Sequence, residues 1–371
     1  MRRDTTRTSW KPAAGRYSVR AVLVLILVTV GAAPSASVPT ASELKVHFID
    51  AGQGTAVLLQ TPRAAVLVDA GEGAAVADYL RRAGVERLDL VVATHAHADH
   101  VGGFPAVFRE VTVDTVWYNG QVHTTRTFER FLDAVLESGA VYHEPVRGEV
   151  VHLPSEGEAS GRSELKITVL HPASSAADYT GHLHDMNIVV RVDFRAFSLI
   201  LTGDAEHAAE REILVANLPL AATILQLGHH GSRTSSGARF LQAVAPQVAV
   251  YQAGVDNRYG HPHREVIARV QQLPGVEIYG TDRHGTVLIV TDGERYQVRT
   301  EIDGDLPAYC IDINTASLRA LTEIIHIDGI RARELMELRP FRSLQELTRV
   351  RGIGAARVEA IEEQGLVCPA R

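Results

Sequence analysis

The sequence predicts a layered α/β sandwich followed by a small all-α segment. Three observations carry that expectation. Strand-like and helix-like apolar patterns are mixed, without strict alternation, from about residue 44 to residue 300, the rhythm of a layered fold. Clusters of histidine and aspartate fall directly after several strand-like runs. Near residue 304 the strand patterns stop and helical periodicity takes over.

Length and charge agree with this division. A chain of 371 residues suits two domains better than one. A hydrophobic fraction of 46% is ample for a core, and a formal charge of -7 argues against holding polyanions by bulk charge alone. The N-terminus reads as a targeting segment: Arg2, Arg3, Arg16 and Arg20 precede the apolar run "AVLVLILVTVGAA" at 21–33. That run has the length of a signal-peptide core and falls short of the roughly 20 residues of a membrane span. Residues 1–37 are therefore expected to be a signal peptide cleaved near Ala36, giving an exported protein with no membrane span after cleavage. The two cysteines, Cys310 and Cys368, bracket the last segment. In an exported chain they are expected to pair, closing a loop worth on the order of 4 kcal/mol.

Taken in order, "ELKVHFIDAGQGTAVLLQ" (43–60) gives two strands around a Gly-rich turn, and "AVLVDAG" (65–71) a third strand ending in Asp69. Residues 73–84 suit a helix and 88–94 a buried strand. "LKITVLHP", "NIVVRVDF" and "FSLILTGD" follow as strands and "AEHAAEREILVANL" as a helix. "ATILQLGHHGS" and "VAVYQAG" are further strands, and "REVIARVQQL" a helix. After the linker "DGDLP" comes an internal repeat with an offset of 23, pairing Leu321 with Leu344, Ile327 with Val350, Gly329 with Gly352 and Leu335 with Val358 among others. Each repeat reads helix, Gly turn, helix, and Ser343 with Glu346 has the spacing of a capping box.

The chemistry concentrates in "THAHADHVGG" (94–103). Imidazoles and carboxylates are ligands for zinc and similar ions. On an extended loop His95 and His97 can grip one ion, while Asp99 and His100 face elsewhere and can grip a second. Downstream, Asp204 ends a strand in "LILTGDAE" and offers a carboxylate that can bridge two ions, although it also stands where a helix N-cap belongs. "LQLGHHGS" supplies His229 and His230. His229, first after the strand, is expected as the ligand, and His230 as a group that contacts substrate or donates a proton. Asp99 is expected to serve both metal binding and catalysis. Asp69 reads as a residue orienting a ligand histidine, and His261 as lining the cleft.

These residues bring a family into view. Residues 44–300 resemble the metallo-β-lactamase fold, most closely the nuclease-like subfamily found in the competence protein ComEC. The resemblance rests on "DAGQG" (50–54), "LVDAG" (67–71), "HAHADH" (95–100), "LTGDAE" (201–206), "GHHGSRTSS" (228–236) and "NRYGHP" (257–262), in that order. It implies an αβ/βα sandwich over 43–303 with a dinuclear metal site, holding zinc or manganese, along one sheet edge. Thr55 stands where the subfamily usually has an acidic residue. For the third ligand segment the chain offers "GHLHDMN", in which Asp185 is taken as the ligand and His184, the alternative, as a neighbour in the cleft.

Residues 310–368 resemble the tandem helix-hairpin-helix module of ComEA-type DNA-binding proteins, through "INTAS" (313–317), "IDGI" (327–330), "FRSLQEL" (341–347) and "VRGIGAARVEAI" (350–361). Over 304–371 the resemblance implies sequence-independent contact with DNA phosphates through Gly329, Gly352 and Gly354, with Arg351 and Arg357 beside the second hairpin. Arg331 stands where the first hairpin's second glycine belongs. The segment holds nine arginines against ten acidic residues, so its overall charge adds little. The resulting expectation is an exported dinuclear metal-dependent nuclease that acts on DNA and needs no obligate protein partner. The alternatives are a metallo-hydrolase of another ester or amide, such as a lactone or a phosphocholine ester, and a non-catalytic DNA-binding component.

Overall fold

The computed structural model describes residues 43–155, 164–177, 179–306 and 310–368. The expected signal peptide, residues 1–37, lies outside the described residues. Among them, two sheets of eight and seven strands face each other. The first runs in the order Tyr296–Thr300, Val287–Thr291, Leu44–Phe48, Val57–Gln60, Ala65–Val68, Leu90–Ala93, Thr115–Tyr118, Val141–His143. The second runs Glu277–Gly280, Val248–Tyr251, Ile224–Gln226, Phe197–Leu201, Val189–Phe194, Glu164–His171, Val150–Pro154.

Strand geometry explains why the central strands are apolar without a break. Successive side chains point to opposite faces, and both faces are covered. Val57, Leu59, Val66, Val68, Leu90 and Val92 join the core between the sheets, against Ile167, Val190, Val192, Leu199, Leu201 and Ile224. Their neighbours Leu58, Leu67, Val91 and Ala93 turn outward under helices Ala75–Arg82, Phe104–Glu110 and Arg126–Ser138. The second sheet is covered in the same way by His207–Val215, Ala238–Val244 and Arg264–Gln271. The layers are thus αβ/βα, as the sequence led us to expect.

The helical segment has its own core of Leu321, Ile324, Ile327, Leu335, Leu347, Val350, Val358 and Ile361, to which Ala268 of the sandwich contributes. Both repeats supply it through equivalent positions. Asp328 caps helix Gly329–Glu337 by accepting from the Ile330 and Arg331 N–H groups at 3.1 and 2.9 Å. The capping box expected at Ser343 and Glu346 does not form. Ser343 makes no side-chain cap bond, and Leu344–Arg349 is a 3₁₀ turn. The Glu346 carboxylate instead accepts from Arg342 N and Arg349 Nη1, each at 3.2 Å. Cys310 and Cys368 form a disulfide.

Candidate metal centre

The site forms where strand ends of both sheets meet. Strand Leu90–Ala93 leads into Thr94 and His95; the chain stays extended at His97 and then turns into the short helix Ala98–Val101, which carries Asp99 and His100. Strand Phe197–Leu201 of the facing sheet delivers Asp204, and Ile224–Gln226 delivers His229 and His230. Helix His207–Val215 begins after Asp204, with Glu206 at its N-cap position, so Asp204 is free of a capping role.

Asp204 is 2% exposed and sits at the centre. Its Oδ1 lies 3.1 Å from His100 Nε2 and 3.6 Å from His230 Nε2. Its Oδ2 lies 3.7 Å from His95 Nε2 and 3.6 Å from His184 Nε2. His97 Nδ1 completes the second set, 2.9 Å from His95 Nε2 and 3.0 Å from His184 Nε2. Around Asp204 lie two groups, His95–His97–His184–Asp204 and Asp99–His100–His230, each with its candidate ligand atoms within 4.8 Å of one another; a third, His182–His184–Glu206, shares His184 at the rim.

The donor set fits divalent cations. His100 Nε2 and Asp204 Oδ1 are buried without a hydrogen bond, an arrangement that is costly unless something satisfies them. Other contacts fix the tautomers. Asp69 is fully buried; its Oδ2 lies 2.6 Å from His100 Nδ1, and it accepts from Thr94 N and Oγ1 at 2.8 Å. A proton on Nδ1 leaves Nε2 bare for a cation. His230 Nδ1 faces the Gln252 carbonyl at 2.9 Å, with the same result. Burial, then the neighbouring His184, lowers the His97 pKa to about 4, so this ring is neutral at physiological pH. With no cation bound, burial acts against the charged form of His100 as well, but Asp204 and Asp69 outweigh it and hold its pKa well above the ordinary value, so a cation at Nε2 would displace a proton.

His95, His97, Asp99, His100 and Asp204 come together as the sequence suggested, with Asp69 behind His100. Two expectations need correction. Asp185 is not in either group: its carboxylate accepts the Tyr179 hydroxyl at 2.8 Å. The turn Leu183–Met186 sends adjacent residues to different sides, and it is His184, 4% exposed, that points inward. His230, expected to face substrate, also joins the cluster. His230 lies with Asp99, its Nε2 3.1 Å from Asp99 Oδ2. His229 is in neither group, but it borders the cluster: its Nε2 lies 3.7 Å from Asp204 Oδ2 and its Nδ1 2.9 Å from Glu206 Oε1, and its side chain is 22% exposed. Burial disfavours its charged form, but the Glu206 contact wins and raises its pKa.

Several positioning residues escape a motif reading. Asn187 Oδ1 accepts from Asp204 N at 3.0 Å, and Gln226 Oε1 accepts from Thr202 N and Gly203 N at 3.0 and 3.2 Å. Gln252 receives Gln226 Nε2 and donates to the Ile49 and Ala56 carbonyls. A lone amide inside an apolar strand, as in "ILQLG" or "VAVYQAG", is the available signal, because a buried amide must be fully bonded. The groups surround a cleft of about 430 Å³ lined by Gln53, His97, His123, His229, Tyr259 and His261 among others.

In the helical segment, Gly352 adopts φ +80°, open to glycine at little cost. Arg331 crosses from the first hairpin to the second: its Nε donates to the Arg351 carbonyl at 3.3 Å, while Arg357 Nη1 donates to the Gly352 carbonyl at 2.5 Å. A Cβ at Gly329 or Gly354 would meet nothing within 4 Å, so neither glycine is required by packing inside the protein.

The family model of the metallo-beta-lactamase superfamily matches residues 49–255. The chain belongs to that superfamily. A helix-hairpin-helix motif matches residues 308–364. This superfamily member is 28% identical over 267 residues to ComE operon protein 3 of Bacillus subtilis, covering 66% of this chain and 33% of that protein. It is 32% identical over 266 residues to competence protein ComA of Neisseria gonorrhoeae, covering 66% and 32%. It is also 38% identical over 87 residues to a deoxyribonuclease of a Thioalkalivibrio species, covering 23% and 24%. The match thus spans about a third of the length of the two competence proteins. Their similarity agrees with the ComEC-like resemblance read from the motifs. Among the described residues no helix is long and apolar enough to cross a membrane.

Proposed function

We propose that this metallo-hydrolase is an exported nuclease that cleaves DNA phosphodiesters with two divalent cations, zinc or manganese. One observation carries the reading: the two oxygens of Asp204 face two different ligand groups. In this reading His95, His97, His184 and Asp204 hold one cation, and Asp99, His100, His230 and Asp204 the other. Bound there, the cations supply Lewis-acid charge to the phosphate oxygens and favour ionisation of water. The chain's own residues do the rest. Asp69 and the Gln252 carbonyl hold two ligand rings with Nε2 inward. Asp99 accepts a hydrogen bond from the incoming water and takes its proton as the new oxygen–phosphorus bond forms. As the bond from phosphorus to the leaving oxygen breaks, His229, whose protonated form the Glu206 contact favours, delivers a proton to that oxygen.

The helical module adds affinity for DNA. The N–H groups at Gly352 and Gly354, with Arg351 and Arg357, meet phosphates without reading bases. Tethering raises the concentration of DNA at the cleft. The deoxyribonuclease similarity favours phosphodiesters over lactones, and export rests on the pattern of residues 1–37.

The test is plasmid nicking and single-strand digestion with Mn²⁺, Zn²⁺ or Mg²⁺, repeated with EDTA and with His97→Ala. Cleavage in the metal-loaded protein is expected to fall at least about a hundredfold in both controls. A folded, metal-loaded protein that cuts no DNA with any of the three ions would sink the reading.

A further inference from the structure

One aromatic side chain at the cleft has no role in the core. Tyr259 is 48% exposed and lines the cleft beside Asp99 and His230. Its backbone is nevertheless held firmly. Asn257 Oδ1 accepts from Tyr259 N at 3.2 Å and His261 N at 3.0 Å, and Asn257 Nδ2 donates to the Gly254 and His261 carbonyls at 2.9 and 2.6 Å. An exposed ring on a rigid loop is preorganised for a ligand, since little freedom remains to be lost on binding.

The direction of that ring is informative. Tyr259 stacks on His261 with centroids 5.7 Å apart and planes 19° apart. His261 stacks on His230 at 5.9 Å and 27°. The near-parallel ladder therefore runs from a histidine of the cation cluster out to Tyr259, whose side chain is about half exposed at the cleft. A further flat ring laid on Tyr259 continues the same ladder. Arg258 lies over the Tyr259 ring: its guanidinium carbon is 4.8 Å from the centroid, and its Nη2 donates to the Tyr259 hydroxyl at 2.6 Å. A flat ring under an exposed cation, two rings from the proposed phosphate-cutting centre, matches a nucleotide: the base takes the guanidinium's place on the ring and the guanidinium turns to the phosphate.

Resting on the nuclease reading, we infer that Tyr259 is a stacking platform for one unpaired nucleobase next to the scissile phosphate. Bases inside a duplex have both faces covered by their neighbours. Only a single strand, a frayed end or a flap can present a free face, so the platform selects those substrates. Any base has a π-face, so the site discriminates strand state and not sequence.

The probe is a short phosphorothioate-linked single strand of thymine and 2-aminopurine, whose fluorescence is quenched when the analogue stacks. With the Mn²⁺-loaded full chain, quenching is expected in the wild type, lost in Tyr259→Ala, and recovered in Tyr259→Phe, which keeps the ring. In cleavage assays Tyr259→Ala is expected to raise KM for oligothymidylate about tenfold, within the range one base–aromatic stack supports, without changing KM for a strand of abasic sites. Equal quenching in wild type and Tyr259→Ala overturns the platform, as does an equal KM change for both substrates. The two readings fail separately. Cleavage without Tyr259-dependent quenching removes the platform and leaves the nuclease; Tyr259-dependent quenching without cleavage does the reverse; neither removes both.

Discussion

Asp204 has two oxygens, and each is committed to a different set of rings. That division of one carboxylate is what makes two groups out of seven side chains, and it depends on which neighbours turn inward. At the third ligand segment the choice falls between adjacent residues. His184 is 4% exposed with Nε2 3.6 Å from Asp204, whereas Asp185 accepts a tyrosine hydroxyl. His184→Ala should therefore lose about one equivalent of bound metal per chain, and Asp185→Ala should keep both, read by elemental analysis after dialysis. Equal retention in the two variants would contradict the assignment. The pair at 229 and 230 poses the same question. Two adjacent histidines look interchangeable in a sequence. Both adopt positive φ, +46° and +57°, a conformation that sends one ring into the cluster and leaves the other at the rim against Glu206. No local pattern announces that order.

The elements that hold these side chains are mostly short connections, and their precision comes from close backbone approach. The turn between Leu44–Phe48 and Val57–Gln60 packs directly on the loop of Asp99: Thr55 N donates to the Asp99 carbonyl at 3.0 Å. Gly54 permits this contact. It has φ +151°, and a Cβ there would come 2.5 Å from the Asp99 carbonyl oxygen and 3.2 Å from Gly71 Cα, both backbone atoms that cannot swing aside. Gly54→Ala should thus cost roughly 1–3 kcal/mol, as overpacking does, and displace Asp99. Denaturant midpoints and metal content check both parts, and an unchanged midpoint with full metal content would refute the argument. "DAGQG" made this turn visible as a motif. The partner it packs against was not visible, because the contact joins positions far apart in the chain. Gln226 at a strand end, Gln252 just after a strand and Asn187 just before one illustrate the same limit, as each is one polar letter beside an apolar run until its partners are known.

At the scale of the molecule, helix Arg264–Gln271 belongs to both halves. It follows directly on the Tyr259–His263 loop of the cleft, and its far end meets the helical module. Arg269, 7% exposed, donates to the Ser235 and Ser236 carbonyls of the histidine loop and to the Gln364 carbonyl of the module. Gln272 donates to the Gly365 and Val367 carbonyls at 2.9 and 3.0 Å. The module is therefore seated on the sandwich by hydrogen bonds and not only strung from a linker. Its own ends are joined by Cys310–Cys368 across a separation of 58 residues, a closure worth about 4 kcal/mol in the chain-entropy account. Reduction should lower the unfolding temperature of the helical module while leaving the main sandwich transition in place. Scanning calorimetry with and without reductant tests this, and a helical transition unmoved by reduction would count against it.

The sequence by itself determined the layered fold, the change to helices near residue 304, the repeat, and five of the clustered side chains, His95, His97, Asp99, His100 and Asp204. All of these follow from local regularities: periods of two and of about three and a half, and ligands close together in the chain or at a strand end. Tertiary structure decided His184 over Asp185, His230 over His229, the failure of the Ser343 capping box, and the stacking of Tyr259 on His261 and His230. Each of these is a choice between neighbours with equal local claims. The deciding free energy comes from burial and from partners dozens to hundreds of residues away, which no window of sequence contains.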